Sequence, residues 1–343
     1  MRFARLICAT LYATAAFAQA ASAQTPMQKV LVFPAPILPI VEAVTQGVAT
    51  PQSLSNSRTD AHTMLVTHSM AQALAEADVI VVADRGMSTA LMRAIAKRAP
   101  KDVAVIALTE LAGAEPAPYG STNSYTEHVS LEDAPSVWKP SAFDKPKKVA
   151  HVHDGGSIDP HIWLDPIRMA AVAHSLAEAL AELQPGYADT FRYNADQLAL
   201  HLENEVDPAI RTMLVQASAH DKDGEIPYIT YHDAFRYFSQ RYDLSPTGYI
   251  TQRPEEYVGA ASMKALIEAS KSTKVRCLIT ESESSLAKRI ATRTEAKIIP
   301  LNVERVYSAK EGATAPWIRN DYDRLLAKVA ETFAQCMSGE PDQ

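Results

Sequence analysis

The hydrophobic positions of this chain fall into short continuous runs that alternate with longer stretches of helical period. Apolar runs at residues 29–33, 79–82, 103–108, 228–231, 276–280 and 297–301 have the length and composition of buried strands. Between them, apolar residues recur about every 3.6 positions at 70–77, 88–99, 233–242 and 254–270, which predicts helices. Strands that alternate with helices predict parallel sheets with helices on both faces.

The runs form two series, one before about residue 110 and one after about residue 225. The fold class we expect is therefore α/β, with two parallel-sheet lobes. Residues 111–157 contain five prolines and no sustained period, which indicates a long functional or mobile loop. Residues 167–183 and 187–214 are strongly helical, with a break at Pro185-Gly186 and a kink expected at Pro208. This segment predicts one long, rigid helix between the lobes.

The amino terminus has the features of a secretory signal. Arg2 and Arg5 precede an apolar stretch at 6–17, and a small-residue cleavage site ends at Ala23. No later stretch reaches the length of a membrane span, so we expect a soluble protein exported to the periplasm, without direct membrane insertion. The expected organisation is a signal peptide at 1–23, a first lobe at 24–184 with a mobile loop at about 112–157, a connecting helix at 185–217 and a second lobe at 218–343.

The charge of the chain argues against some binding partners, and its cysteine content predicts a cross-link. The formal net charge of −7 becomes −9 once Arg2 and Arg5 leave with the signal, which gives no support to nucleic-acid or anionic-membrane binding. Only Cys277 and Cys336 remain after processing. In an oxidising compartment such a pair is most simply a disulfide, and two buried free thiols are the alternative.

Histidines at the ends of predicted elements are the best candidates for chemistry. The chain has no H-E-x-x-H, G-x-S-x-G or phosphate-binding-loop motif. His161 lies in "DPHIWLDP", where each Asp-Pro pair stiffens the backbone on one side of it. His232 ends a predicted strand, and the carboxyl ends of strands are where open α/β sheets bind ligands. His62, from a third segment, is placed to converge with them between the lobes.

These motifs resemble those of a known family. "DPHIWLDP", "THSMAQALAEADVIVV" preceded by His62, and "YHDAFRYFSQRYDL" are similar to the metal-binding proteins of bacterial zinc and manganese ABC importers, the cluster A-I periplasmic binding proteins of the zinc-uptake type. The similarity runs over essentially the whole mature chain. It implies two α/β lobes joined by one long helix, with metal in the cleft and a disulfide at the positions of Cys277 and Cys336.

Carried onto this sequence, the resemblance implies that His62, His161 and His232 bind the metal. The manganese members usually have a carboxylate at the third position, so His232 favours zinc. The family usually places an aspartate after the last strand, where this chain has Asn302 in "IIPLNVERV". The fourth ligand is therefore open between water, Glu281, Asn302 and Glu304.

The implied function is capture of Zn²⁺, as bound substrate, and its delivery to the transmembrane permease of an ABC importer with a separate ATPase. A monomer that is not an enzyme is expected. One alternative is a manganese or iron homologue of the same importer class. Others are a three-histidine zinc hydrolase, with Glu281 as the candidate base, and a surface adhesin or metallochaperone on the same fold.

The remaining candidates have simpler interpretations. His151, His153 and Asp154, near His128, form either a weak secondary metal site or a solvated loop. His68 is expected to cap a helix or to support the site, and Asp165 to cap the next helix or orient His161. Three further histidines are expected to be exposed to solvent: His174, His201 and His220. Two aromatic residues are expected in the core: Trp163 and Phe235.

Overall fold

The computed structural model describes residues 27–55, 61–117, 158–219, 227–251, 258–311 and 314–338. Its strands are β1 (Val30–Phe33), β2 (Gln52–Ser53), β3 (Val79–Val82), β4 (Ala104–Ala107), β5 (Tyr228–His232), β6 (Gly248–Thr251), β7 (Cys277–Thr280) and β8 (Lys297–Pro300). Its α-helices are α1 (Leu38–Val44), α2 (His68–Ala75), α3 (Thr89–Arg98), α4 (Pro166–Leu183), α5 (Ala188–His201), α6 (Asp207–Ser218), α7 (Arg236–Arg241), α8 (Ala260–Ser272), α9 (Ser285–Thr294) and α10 (Asp321–Ser338).

The strands form two parallel sheets with the same order, β2-β1-β3-β4 and β6-β5-β7-β8. Strands β1, β3, β4 and β7 are buried at every residue, as continuous apolar runs covered on both faces must be. The expected α/β fold with two lobes is confirmed. In each sheet the strand order reverses next to the strand that comes first in the chain, which is β1 in one sheet and β5 in the other. In the second sheet the loops after β5 and β7 therefore diverge and leave a crevice between them.

One long helix connects the sheets. It runs from Ala188 to Ser218 through α5, a π-helical turn at Leu202–Val206, and α6. Pro208 lacks the N–H that would bond to the carbonyl four residues earlier, and the wider π turn lies directly before it. The expected kink is therefore a local change of helix type within a continuous rod about 45 Å long.

The C-terminal helix α10 ties the lobes together. It packs against α6 and also against α1 of the first lobe. Cys336 on α10 is bonded to Cys277 on β7, with their Cα atoms 5.8 Å apart, which confirms the predicted disulfide. One hydrophobic cluster contains strands of both sheets and the helices between them. Because the lobes share this core, we expect the cleft to change little in width.

Candidate metal centre

His161 is held in place by the aspartate two residues before it. Asp159 Oδ1 accepts hydrogen bonds from the backbone N–H of His161 at 3.0 Å and from its Nδ1 at 2.6 Å, and both residues are fully buried. With Nδ1 occupied, the free lone pair of a neutral imidazole lies on Nε2, which points into the cleft. The stiff Asp-Pro motif therefore presents one nitrogen in a fixed direction.

His232 lies at the crevice of the second sheet. It is the last residue of β5, and its neighbour in the crevice, Glu281, directly follows β7. Its Nδ1 is 2.5 Å from Glu281 Oε1, and its Nε2 is 3.4 Å from Nε2 of His161. Both histidines therefore have the carboxylate–imidazole arrangement that is common behind metal ligands.

Glu304 enters the cleft on the loop after β8. Its Oε2 accepts the backbone N–H of Ala61 at 2.7 Å, and its Oε1 faces the histidines. Oε1 lies 2.9 Å from Nε2 of His62 and 3.9 Å from Nε2 of His161. Asn302 shapes this turn, because its Oδ1 accepts the backbone N–H of Glu304 at 2.8 Å.

His62 completes the cluster from the turn that begins at Ala61. Its side chain is 3 % exposed, and its ring centroid is 5.4 Å from that of His161 and 5.8 Å from that of His232. One ligand atom from each of His62, His161, His232 and Glu304 lies within 4.8 Å of the others. A tetrahedral ion with bonds of about 2.0–2.1 Å separates its ligand atoms by about 3.3 Å, close to the measured separations.

The electrostatics of the cluster favour a cation at its centre. Burial lowers the pKa of His161, but the charge and hydrogen bond of Asp159, together with Glu304, raise it to about 9. Burial also lowers the pKa of His232, and the charge of Glu281 more than offsets this, so the pKa is raised. Burial raises the pKa of Glu304, yet its interactions with the neighbouring His161 and His62 hold that pKa well below its usual range. Three carboxylates thus stabilise positive charge among the imidazoles.

The structure brings together the three histidines that the sequence indicated, and the residues suggested for the fourth position lie in different places. Glu304 lies in the cluster. Glu281 contacts His232 from behind, at Nδ1, and Asn302 holds the backbone of the Glu304 turn. The sequence did not identify Asp159 as the partner of His161, although its position two residues earlier in the same rigid motif was an available signal.

The other sequence interpretations had mixed outcomes. Asp165 caps α4 by accepting the N–H groups of Ile167 and Arg168, as expected. His174 is exposed and Trp163 and Phe235 are core residues, as expected. His68 is an exposed first residue of α2, whose cap is Thr67, so its expected role was wrong.

His201 was also predicted wrongly, because it is buried and bonds through Nε2 to Asp323 Oδ2 at 2.9 Å. A polar residue on a helix is usually solvated, but His201 has a buried partner in the first turn of α10. Several predictions fall outside the described residues: the signal peptide, His128, His151, His153, Asp154 and His220.

Two parallel α/β lobes on one long helix, with a buried His/Glu cluster at the strand ends between them, are the features to set beside known proteins. The chain belongs to the family described as zinc-uptake complex component A, periplasmic (ZnuA), whose model matches residues 30–336. This is a family of periplasmic solute-binding transport proteins that work with an ABC permease and its ATPase. In the described part of the chain, no helix combines the length and hydropathy that a membrane crossing requires.

Individual relatives agree with this assignment. The chain is 26 % identical over 318 residues to the high-affinity zinc uptake system protein ZnuA of Brucella suis biovar 1 (strain 1330), covering 88 % of this chain and 90 % of that protein. It is 26 % identical over 302 residues to the protein of that name from Yersinia pestis, covering 87 % of each.

Solved structures share the fold. A crystal structure of ZnuA superposes with a TM-score of 0.65 at 19 % identity, covering 91 % of this chain and 100 % of that one. A manganese-bound mutant of a periplasmic metal binding protein from Candidatus Liberibacter asiaticus gives a TM-score of 0.67 at 18 % identity, covering 90 % of this chain and 99 % of that one.

Proposed function

We propose that this protein binds one Zn²⁺ between its lobes through His62, His161, His232 and Glu304, and delivers it to the permease of an ABC importer. The observation that carries the proposal is the convergence of three Nε2 atoms and one carboxylate oxygen from four separate segments within 4.8 Å. A borderline-soft ion with tetrahedral preference suits such a set of three nitrogens and one oxygen.

The way Glu304 is held favours zinc over manganese. Because Oε2 accepts the N–H of Ala61, Oε1 is the oxygen that the carboxylate presents to the histidines. A single carboxylate oxygen with three imidazoles gives four ligands, whereas Mn²⁺ prefers more oxygen ligands and octahedral geometry. The manganese or iron alternative therefore has less support from this site.

The charges of the cluster suit a divalent cation. Three neutral imidazoles alone would leave a bound Zn²⁺ with its full double charge in a buried site, which is unfavourable. Glu304 supplies one negative charge as a ligand, and Asp159 and Glu281 supply two more behind the imidazoles. Asn302 stands where the family usually has a carboxylate, and Glu304, two residues later, supplies the carboxylate instead.

The hydrolase alternative has little support, since catalytic zinc sites keep one position open for water or substrate. Here four protein atoms surround the centre, and His161 and His232 are fully buried. Glu281, the candidate base, is engaged with His232 Nδ1. We therefore propose a binding protein without enzymatic activity.

The remaining assignments follow from the family and the sequence. We propose export by the signal at 1–23 to the periplasm and action as a monomer, with lobes at 24–184 and 218–343 joined by the helical segment 185–217. The surface adhesin or metallochaperone alternative lacks a supporting observation in the described residues. A weak secondary site at His151, His153 and Asp154 stays a prediction.

Metal analysis followed by competition with a chromophoric zinc chelator tests the proposal. We expect one Zn²⁺ per mature protein, and at least tenfold weaker binding, about 1.4 kcal/mol, in His232→Ala and His62→Ala. His174→Ala is the matched control, because this exposed histidine on α4 lies outside the cluster. Unchanged zinc affinity in both cluster variants would contradict the proposed metal site. Hydrolysis of ester, phosphate or peptide substrates by the zinc-loaded protein would support the zinc hydrolase alternative instead.

A further inference from the structure

We propose that Trp163 is a positioning residue that holds the His161 segment of the first lobe and the Glu304 turn of the second at the separation one metal ion requires. This inference rests on the metal centre proposed above. Trp163 is fully buried in the short helical turn Ile162–Leu164, directly after His161.

Trp163 contacts both ligand segments at once. Its indole Nε1–H donates a hydrogen bond to the carbonyl of Val303, the residue before Glu304, at 3.1 Å. Its ring centroid lies 5.0 Å from the ring of His161, with the planes tilted by 58°. A single rigid side chain therefore links a ligand of one lobe to the backbone that carries a ligand of the other.

The backbone of Trp163 is held by a second hydrogen bond. The hydroxyl of Tyr322, a fully buried residue of α10, donates to the backbone carbonyl of Trp163 at 2.7 Å. Indole has only one N–H, so its bond to Val303 uses the entire polar capacity of the side chain. Breaking that bond leaves a buried carbonyl unsatisfied, which opposes movement of the turn.

The link that Trp163 makes between the two ligand segments matters because His161 and Glu304 come from different lobes. Asn302 sets the internal shape of the turn by accepting the N–H of Glu304, but it contacts Glu304 within the same loop. The distance from His161 Nε2 to Glu304 Oε1 is 3.9 Å, so both must be held to stay within bonding reach of one ion. Trp163 supplies a direct connection between these segments, and we infer that it slows metal release.

The test compares Trp163→Phe with Trp317→Phe, a change at a partly buried tryptophan that packs against the hydrophobic core and is not a member of the His/Glu cluster. Phenylalanine keeps an aromatic ring and removes the N–H donor. We expect Trp163→Phe to weaken zinc binding about tenfold, mainly through faster dissociation, since the Val303 carbonyl loses its partner. Trp317→Phe should bind zinc as the unaltered protein does.

A double-mutant cycle separates positioning from general destabilisation. If Trp163 acts through the Glu304 turn, Trp163→Phe should weaken binding less than about threefold in a Glu304→Gln background, because the coupled ligand is already altered. The inference is overturned if Trp163→Phe lowers zinc affinity equally in the native and Glu304→Gln backgrounds, or does not lower it in the native background. If Trp163→Phe does not fold, judged by its thermal melt, Tyr322→Phe replaces it and must show the same dependence on Glu304.

His232→Ala, measured alongside, distinguishes the two proposals. Unchanged affinity in His232→Ala overturns the metal centre and this inference with it. Loss in His232→Ala with native affinity in Trp163→Phe leaves the centre standing and overturns only the role of Trp163.

Discussion

Replacing Asp159 with asparagine tests how the rigid motif presents His161. The substitution keeps the size and shape of the side chain but removes the charge that lies 2.6 Å from Nδ1. The charge-assisted bond becomes a neutral one of roughly half the strength. The amide can also turn its NH₂ toward Nδ1, which would place the ring proton on Nε2, where the ion must bind.

The expected loss is about 10- to 100-fold in zinc affinity, the usual effect of removing a carboxylate behind a metal-bound histidine. This corresponds to about 1.4–2.7 kcal/mol. Full burial of both partners puts the expectation toward the upper end, because no water is available to replace the lost bond. The assay is competition between the metal-free protein and a chromophoric chelator at constant pH, with a thermal melt of each variant.

Asp165→Asn is the matched control, because it makes the same chemical change within the same motif. Asp165 bonds to Ile167 and Arg168 at the start of α4, and asparagine caps helices about equally well. Its zinc affinity and melting temperature should stay near those of the unaltered protein. Equal affinities in Asp159→Asn and Asp165→Asn would show that His161 does not depend on Asp159 for its orientation.

Other expectations concern the fourth-ligand turn, the disulfide and acid stability. Asn302→Asp should leave zinc affinity within about threefold, because either residue can accept the N–H of Glu304, whereas Asn302→Ala should weaken it several-fold in the same titration. Thiol titration of unfolded, unreduced protein should find neither Cys277 nor Cys336, and replacing both with alanine should lower the free energy of unfolding by roughly 3–4 kcal/mol in denaturant melts. Burial raises the pKa of Asp207, but its paired bonds to Arg241 outweigh this and lower it, so the stabilisation is present above about pH 4 and is lost as pH falls further. The unaltered protein and Asp207→Asn should therefore differ less in free energy of unfolding as the pH falls. A constant difference from pH 7 to pH 3 would contradict this.

Much of the fold could be predicted because its strands are buried on both faces. Such strands are continuous apolar runs, and all six predicted runs agree with the structure to within one residue at each end. Strands β2 and β6 were missed for a physical reason: β2 has only two residues, and β6 contains a glycine and half-buried positions. A strand that is so short or only partly apolar carries a weak hydrophobic signal.

The site was only partly predictable from the sequence. That His161 and His232 lie close together could be expected, because a rigid motif and a strand end restrict where their side chains point. Glu304 lies in the cluster and Asn302 does not, because Asn302 Oδ1 accepts the backbone N–H of Glu304 in a tight turn that the sequence alone did not reveal. His201 was missed because its partner, Asp323, is distant in the chain.

The most direct test is anomalous diffraction at the zinc edge from crystals of the zinc-loaded mature protein. We predict one strong peak in the inter-lobe cleft, at about 2.0–2.1 Å from Nε2 of His62, His161 and His232 and from one oxygen of Glu304. A principal peak bound by other residues, or one in the cleft that lacks Glu304 or any of the three histidines, would contradict the account.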